Sequence, residues 1–224
     1  MRIEGERASL IALLQRQIGN IFSLTDDEQR LLSDVVPSAL DRTEYCFSRL
    51  KNKYYRRQGE VYFNPFHSSQ YAIFLYFISN SIFRQYGREH SILSDKVYYL
   101  NKCLNGLDLY YEVEMPRVFF LDHPVGTIIG RAKYGERFSF CQNCTVGNNK
   151  GIYPTFGENV RMMSGSQVLG QCVIGDDVII SANAYVKDAD VPSCSIVFGQ
   201  MPNIVIDRRD PAYFRQNSDC ISDP

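Results

Sequence analysis

Residues 156–186, FGENVRMMSGSQVLGQCVIGDDVIISANAYV, carry the clearest repeat in the chain. Every sixth position in this stretch carries a large apolar side chain. These positions are Phe156, Met162, Val168, Ile174, Ile180 and Val186. A period of six matches neither the two-residue alternation of a strand nor the 3.6-residue turn of a helix. It fits a short strand followed by a corner, repeated about three times in each coil of a solenoid.

An earlier run of large side chains has the same period. Its members are Ile128, Tyr134, Phe140 and Val146. Ten residues separate Val146 from Phe156, so four residues beyond one repeat are predicted to leave the coil as a loop at 148–151. About 18 residues then close one triangular coil, and successive coils stack at the sheet spacing of about 4.8 Å. The pattern predicts a parallel β-helix over residues 107–206.

Residues 1–106 carry apolar side chains at three- and four-residue intervals, which is typical of helices. Helices are predicted around residues 10–18, from Thr25-Asp26-Asp27-Glu28 onward, and over 37–51, 67–85 and 92–104. The predicted class is therefore α+β, an N-terminal helical bundle followed by the β-helix. Residues 207–224 are polar and lack the repeat, so we expect them to form a loose C-terminal tail.

Composition excludes several functional classes. With 24 Lys and Arg against 25 Asp and Glu, the 224-residue chain lacks the excess of basic residues that is typical of nucleic-acid-binding proteins. The longest apolar stretch, Tyr71–Phe83, is too short and too polar for a transmembrane helix of about 20 residues. Seven cysteines without a secretory leader favour a cytoplasmic protein with free thiols. Cys141-x-x-Cys144 lacks the second pair that a metal site would need.

Leu107-Asp108-Leu109, followed by Leu121-Asp122-His123-Pro124-Val125-Gly126-Thr127-Ile128-Ile129-Gly130, resembles the serine acetyltransferase branch of the hexapeptide acyltransferases. Members of that family carry V-D-I and then L-D-H-A-T-G-x-V-x-G at the same spacing. The resemblance continues through Thr145-Val146-Gly147 and residues 160–166, and weakly through Phe66-His67-Ser68-Ser69-Gln70. It implies a left-handed β-helix.

The resemblance also implies O-acetyl transfer from acetyl-CoA to a hydroxyl, with His123 as general base and Asp108 as its orienting partner. An imidazole of pKa about 6.5 can take the proton of an attacking alcohol and return it to the departing thiolate. In the competing interpretation, His123 is a hydrogen-bonded coil residue and Asp108 caps a helix. The other histidines, His67 and His90, lie in helical sequence and lack a comparable motif.

The acceptor site departs from the family. Where the serine enzymes carry D-R-H-P, this chain reads Gly151-Ile152-Tyr153-Pro154, and the family's G-E-T-A reads Gly130-Arg131-Ala132. We expect Asp122, Arg131 and Tyr153 to bind the acceptor. Loss of the Arg-His pair favours a sugar hydroxyl, of a surface polysaccharide or its precursor, although Tyr153 fits packing against the loop equally well. Serine, and a catalytically silent oligomeric scaffold, are the alternative functions.

The donor is expected in a groove between neighbouring subunits of a homotrimer, as the resemblance implies. The helical region offers a route to larger assemblies. Small or polar corner residues would let the pantetheine arm lie flat; they are Gly147, Ser164, Gly165, Ala182 and Asn183. Lys150 and Lys187 are predicted to meet the phosphates of acetyl-CoA. No metal is expected.

Overall fold

The computed structural model describes residues 1–221, which fall into two compact units. One unit comprises residues 1–48 and 52–112, and the other comprises residues 49–51 and the chain from 113 onward. Residues 107–112, which the prediction assigned to the β-helix domain, group with the helices here. The reason is that these residues bond to the helices: Asn80 Nδ2 donates to the Tyr111 carbonyl at 2.7 Å.

The first unit is built on four helices. They are α1 (Arg7–Ile21), α2 (Asp26–Ser48), α3 (Ser68–Tyr86) and α4 (Ser91–Asn105). Its short strands are β1 (Arg2–Ile3), β2 (Arg56–Arg57) and β3 (Glu60–Phe63), which form a sheet in the order β1-β3-β2, and β4 (Leu107–Leu109). Helix α3 is buried from Ser69 through Ile82, so it forms the centre of this unit.

Helix α2 corrects one prediction. It runs unbroken through Pro37, whereas a separate helix over 37–51 was expected, and residues 49–51 are not helical. Burial of Val36 and Leu40 on either side of the proline holds the helix together despite the missing N–H. The start of α2 is as predicted: the Glu28 N–H donates to Thr25 Oγ1 at 3.2 Å, and the Thr25 N–H donates to Glu28 Oε2 at 2.8 Å.

The second unit is a β-helix, which with the helices confirms the predicted class, an N-terminal helical region followed by a left-handed parallel β-helix. Its strands are β5 (Phe119–Leu121), β6 (Thr127–Ile129), β7 (Phe138–Phe140), β8 (Thr145–Gly147), β9 (Thr155–Phe156), β10 (Arg161–Met162), β11 (Gln167–Leu169), β12 (Val173–Ile174), β13 (Val178–Ile180), β14 (Tyr185–Lys187), β15 (Ser195–Phe198) and β16 (Val205–Arg208). Among the described residues, the parallel strands form a first face (β5, β7, β10, β13, β15), a second face (β6, β8, β11, β14) and a third face (β9, β12).

Stacked inward side chains fill the β-helix. Met162 pairs with Phe140 on one side and with Ile180 on the other, and all three are buried. The first coil departs from the predicted register: Ile129 pairs with Val146 and is 1% exposed, while Ile128 faces outward and is 47% exposed. This coil is one residue shorter than the regular 18-residue coil. The inward-facing position in its strand is therefore shifted by one residue, which turns the neighbouring side chain to the outer face.

Left-handed backbone stacks at the corners. One corner contains Gly126, Asn143, Gly165 and Asn183, all with φ between +57° and +75°. A Cβ on Gly165 would lie 2.4 Å from Asn183 Oδ1. Glycine is therefore required here both because a side chain would clash and because φ is +73°. Asparagine is the non-glycine residue that tolerates this conformation best.

The expected loose tail is ordered in the structure over residues 207–221. Strand β16 pairs antiparallel with β15, and helix α5 (Pro211–Asn217) follows it. Phe214 and Cys220 are buried, and this apolar burial explains why the segment folds. Residues 222–224 of the predicted tail lie outside the described residues. Among the described helices, none has the length and apolar character that crossing a membrane requires.

Candidate active site

His123 lies in the turn that follows β5. Its backbone is left-handed, with φ of +48°, and its carbonyl accepts the Val125 N–H at 2.7 Å. The imidazole is 80% exposed, and its Nε2 lies 3.6 Å from Asp122 Oδ1, too far for a hydrogen bond. The side chain is thus accessible to a substrate.

The turn that presents His123 is tightly fixed. Gly126 has a φ of +75°, and a Cβ there would lie 2.4 Å from Asn143 Oδ1 of the next coil. Thr127 Oγ1 donates to the Cys141 carbonyl at 2.8 Å and accepts the Cys144 N–H at 3.2 Å. These bonds attach the turn to the next coil, and they explain why the glycine and threonine follow the histidine at this spacing.

Asp108, on β4, belongs to the helical unit. The Tyr98 hydroxyl donates to its Oδ1 at 2.6 Å, and Lys102 Nζ donates to its Oδ2 at 2.7 Å. Burial, followed by the bond to Asp108, raises the pKa of Tyr98 to about 12, and the bond to Asp108 raises the pKa of Lys102. His123 belongs to the other unit, so its pairing with Asp108 stays a prediction.

Tyr98 and Lys102 were missed by the sequence reasoning. Their four-residue spacing places both on one side of α4, and Asp108 follows after the helix ends at Gly106, whose φ is +61°. A tyrosine and a lysine one helical turn apart, shortly before the aspartate of the motif, were the available signal.

The loop at 148–151 is a closed turn, as predicted. Asn149 and Ile152 exchange both backbone hydrogen bonds at 3.0 Å, and Asn149 Nδ2 donates to Asp188 Oδ2 at 2.5 Å. Ile152 and Tyr153 are 48% and 40% exposed. Tyr153 therefore faces solvent, where it can contact a substrate.

The predicted donor-site residues fall into two groups at opposite ends of the second face. Ser164, Gly165, Ala182 and Asn183 form the corner before β11 and β14, where the Asn183 N–H donates to the Ser164 carbonyl at 2.9 Å. Gly147 and Lys187 are the last residues of β8 and β14, at the other end of this face. Lys150 lies in the loop that follows β8. There the Gln171 N–H, the Asn149 amide, Lys187 and Lys150 together lower the pKa of Asp188.

Arg131 directly follows Gly130 at the end of β6 and is exposed. A Cβ on Gly130 would lie 2.5 Å from the Val146 carbonyl oxygen, so the coil is closely packed at this point. Within residues 1–221, no group of three or more His, Cys, Asp or Glu side chains is arranged to hold a metal ion.

Residues 153–188 match the family model described as bacterial transferase hexapeptide (six repeats). The serine acetyltransferase of Helicobacter pylori is 30% identical over 126 residues, which cover 51% of this chain and 73% of that protein. The serine acetyltransferase of Staphylococcus xylosus is 27% identical over 140 residues, which cover 60% of this chain and 63% of that protein, less than two thirds of its length. The crystal structure of Neisseria gonorrhoeae serine acetyltransferase has the same fold, with a TM-score of 0.71 and 18% identity, covering 96% of this chain and 84% of that one.

These relatives correct the predicted acceptor. Each is named for transfer to serine, so the sugar hydroxyl expected from the sequence is wrong. That expectation used the missing Arg-His pair in the loop as evidence against an amino acid. A small amino acid also carries an ammonium group, which a carboxylate such as Asp122 can bind without that pair.

Proposed function

Because the chain belongs to the serine acetyltransferase family, we propose that it transfers the acetyl group of acetyl-CoA to the hydroxyl of L-serine, the serine O-acetyltransferase step of cysteine biosynthesis. The observation that carries the proposal is the exposed imidazole of His123, held on a left-handed turn in the family's Leu-Asp-His motif. The free thiols of the described cysteines are consistent with work in the cytoplasm.

His123 acts as the general base. It takes the proton of the serine hydroxyl while the oxygen attacks the thioester carbonyl carbon, and it returns the proton to the CoA sulfur as the C–S bond breaks. A base in this role contributes about 10²- to 10⁴-fold to the rate. Asp108, whose carboxylate is held by Tyr98 and Lys102, orients the imidazole and stabilises its charged form.

Asp122 and Arg131 bind the two charged groups of serine. Asp122, adjacent to the base and half-exposed, takes the ammonium group. Arg131 takes the carboxylate, since Ile152 and Tyr153 replace the residues that carry this role in the family and neither is a cation.

The second face binds the donor. The pantetheine arm lies against the corner of Ser164, Gly165, Ala182 and Asn183 together with Gly147, and Lys150 and Lys187 meet the phosphates. A neighbouring copy in a homotrimer completes the groove. The exposed positions of Lys150, Ala182 and Asn183 support this placement.

Thiol release from acetyl-CoA tests the proposal. We expect release that depends on L-serine, together with O-acetylserine identified by mass spectrometry, and little release with D-serine, water or a panel of monosaccharides. If L-serine does not promote thiol release, the proposal is contradicted, whether or not another acceptor is active. No release with any acceptor would favour the silent scaffold.

A further inference from the structure

The C-terminal strap, residues 211–221, lies across the first face of the β-helix. Arg161 Nη1 donates to the Asn217 carbonyl at 3.1 Å, and Ser218 Oγ donates to Asn159 Oδ1 at 2.6 Å. Phe214 is 2% exposed. The strap is thus packed against the β-helix, and these contacts hold its side chains in defined positions.

Asp219 on the strap pairs with the outward-facing Arg161. Its Oδ2 lies 3.1 Å from Arg161 Nε and accepts a weaker bond of 3.4 Å from Ser139 Oγ. The two charged side chains are only 23% and 31% exposed. Burial raises the pKa of Asp219 while Arg161 opposes that rise, so the guanidinium is the main group that keeps this carboxylate charged.

The strand register places this ion pair next to Asp122. Phe120, Ser139 and Arg161 pair in one row across β5, β7 and β10. Asp122 lies two residues beyond Phe120, so its side chain points to the same outer side, and its N–H continues the ladder by donating to the Phe140 carbonyl at 3.0 Å. From the spacing of residues and strands, the Cα atoms of Asp122 and Arg161 are about 12 Å apart, within reach of a long arginine side chain.

The residue between them carries no charge at neutral pH. Cys141 follows Phe140 in the row that contains Asp122, and burial raises the pKa of its thiol to about 11. Lys51, the other cation bearing on Asp219, donates to the Arg215 carbonyl at 3.2 Å. Arg161 is therefore the cation that pairs with the Asp219 carboxylate on this side of Asp122.

We propose that Asp219 is a positioning residue: by pairing with Arg161 it keeps the guanidinium away from Asp122 and leaves the Asp122 carboxylate available for the ammonium group of serine. This inference rests on the proposed function. Without Asp219, the arginine turns toward Asp122, competes with the ammonium group and repels it.

Kinetics of Asp219→Asn test the inference. We expect the KM for L-serine to rise about 3- to 10-fold, in the range of a partly screened charge pair, with kcat and the KM for acetyl-CoA within about 2-fold of wild type. Asp219→Glu should retain the wild-type KM. Asp207→Asn, which removes the carboxylate paired with Arg209 near the strap, is the matched control and should change nothing.

The double variant separates charge from folding. If Arg161 is the competitor, Arg161→Gln combined with Asp219→Asn returns the KM for L-serine to within about 2-fold of wild type. A KM that stays raised in the double variant, or never rises in Asp219→Asn, would overturn the inference.

A crystal structure of substrate-free Asp219→Asn decides the matter independently of turnover. The guanidinium of Arg161 is expected within hydrogen-bond distance of the Asp122 carboxylate, and its remaining on the strap side would refute the inference. Absence of L-serine turnover in the wild type contradicts the proposed function, whereas the position of Arg161 in this crystal answers the narrower question in either case.

Discussion

The hydroxyl of Tyr98 donates a hydrogen bond of 2.6 Å to Oδ1 of Asp108. Lys102, one turn further along α4, donates to the other oxygen at 2.7 Å. Each carboxylate oxygen can accept more than one bond, so Asp108 is held in one orientation and can still accept an imidazole N–H. Helix α4 thereby fixes the carboxylate for which we propose a role in orienting the base.

Replacing Tyr98 with Phe tests this support. Loss of a hydrogen bond to a charged group should lower the free energy of unfolding by about 1.5–3 kcal/mol. It should also lower kcat about 3- to 10-fold with little change in KM, because the carboxylate proposed to orient the base becomes mobile. Urea unfolding and steady-state kinetics measure the two effects. Tyr110→Phe, which removes a neighbouring hydroxyl that bonds to Tyr111, is the control. Equal kcat values in both variants would separate Tyr98 from catalysis.

His123→Asn should remove the general base without disturbing the turn. Asparagine tolerates the φ of +48°, and the imidazole it replaces is 80% exposed, so the melting temperature should stay within a few degrees. The value of kcat/KM should fall about 10²- to 10⁴-fold. His90→Asn, in the helical unit, should retain full activity. Substantial turnover by the His123 variant would refute its assignment as base.

Ile152→Arg should improve serine binding. The turn is closed by the backbone pair of Asn149 and Ile152, so a new side chain at 152 leaves the loop intact. A guanidinium there would add an ion pair with the serine carboxylate, and we expect the KM for L-serine to fall about 3- to 10-fold. Ile152→Gln, similar in length but neutral, should leave the KM unchanged. A KM that does not fall would place this loop away from the acceptor.

Gly165→Ala should destabilise the β-helix more than Gly151→Ala. Both glycines have positive φ, +73° and +81°, but only the Cβ at 165 meets an atom within 4 Å, Asn183 Oδ1 at 2.4 Å. Left-handed strain alone costs about 1 kcal/mol, so Gly151→Ala isolates that part. The difference in urea midpoint measures the clash, and Asn183→Gly should relieve it in a double variant. Equal midpoints would show that the corner adjusts.

The repeat made most of the fold predictable. The inward side chains at every sixth residue from Phe156 to Val186 are all buried, because a solenoid applies one local rule in every coil. Prediction failed where tertiary packing overrides local signals. Pro37 lies inside a continuous helix. Ile129, and not Ile128, is buried in the core of the β-helix.

The candidate site was predictable only where residues are near in sequence or in a motif. The family motif predicts His123 as the base, which stays a prediction, and the break in the repeat predicts the loop at 148–151, which the structure contains. The contacts of Tyr98 and Lys102 with Asp108 needed the structure, as did the position of Asp219, 58 residues from Arg161 in the chain (219 − 161). The predicted acceptor was wrong because it was inferred from a missing pair rather than from a group that binds a sugar.

The stacked corners restrict how the length of this protein can change. Arg161 pairs with Ile179, 18 residues further on, and with Ser139, 22 residues earlier, and the four additional residues leave the coil at one corner. A one-residue insertion or deletion inside a strand would exchange the inward-facing and outward-facing positions that follow it. Lineages carrying this β-helix are therefore expected to gain or lose whole coils, each about 4.8 Å in height, or to vary the excursions at the corners.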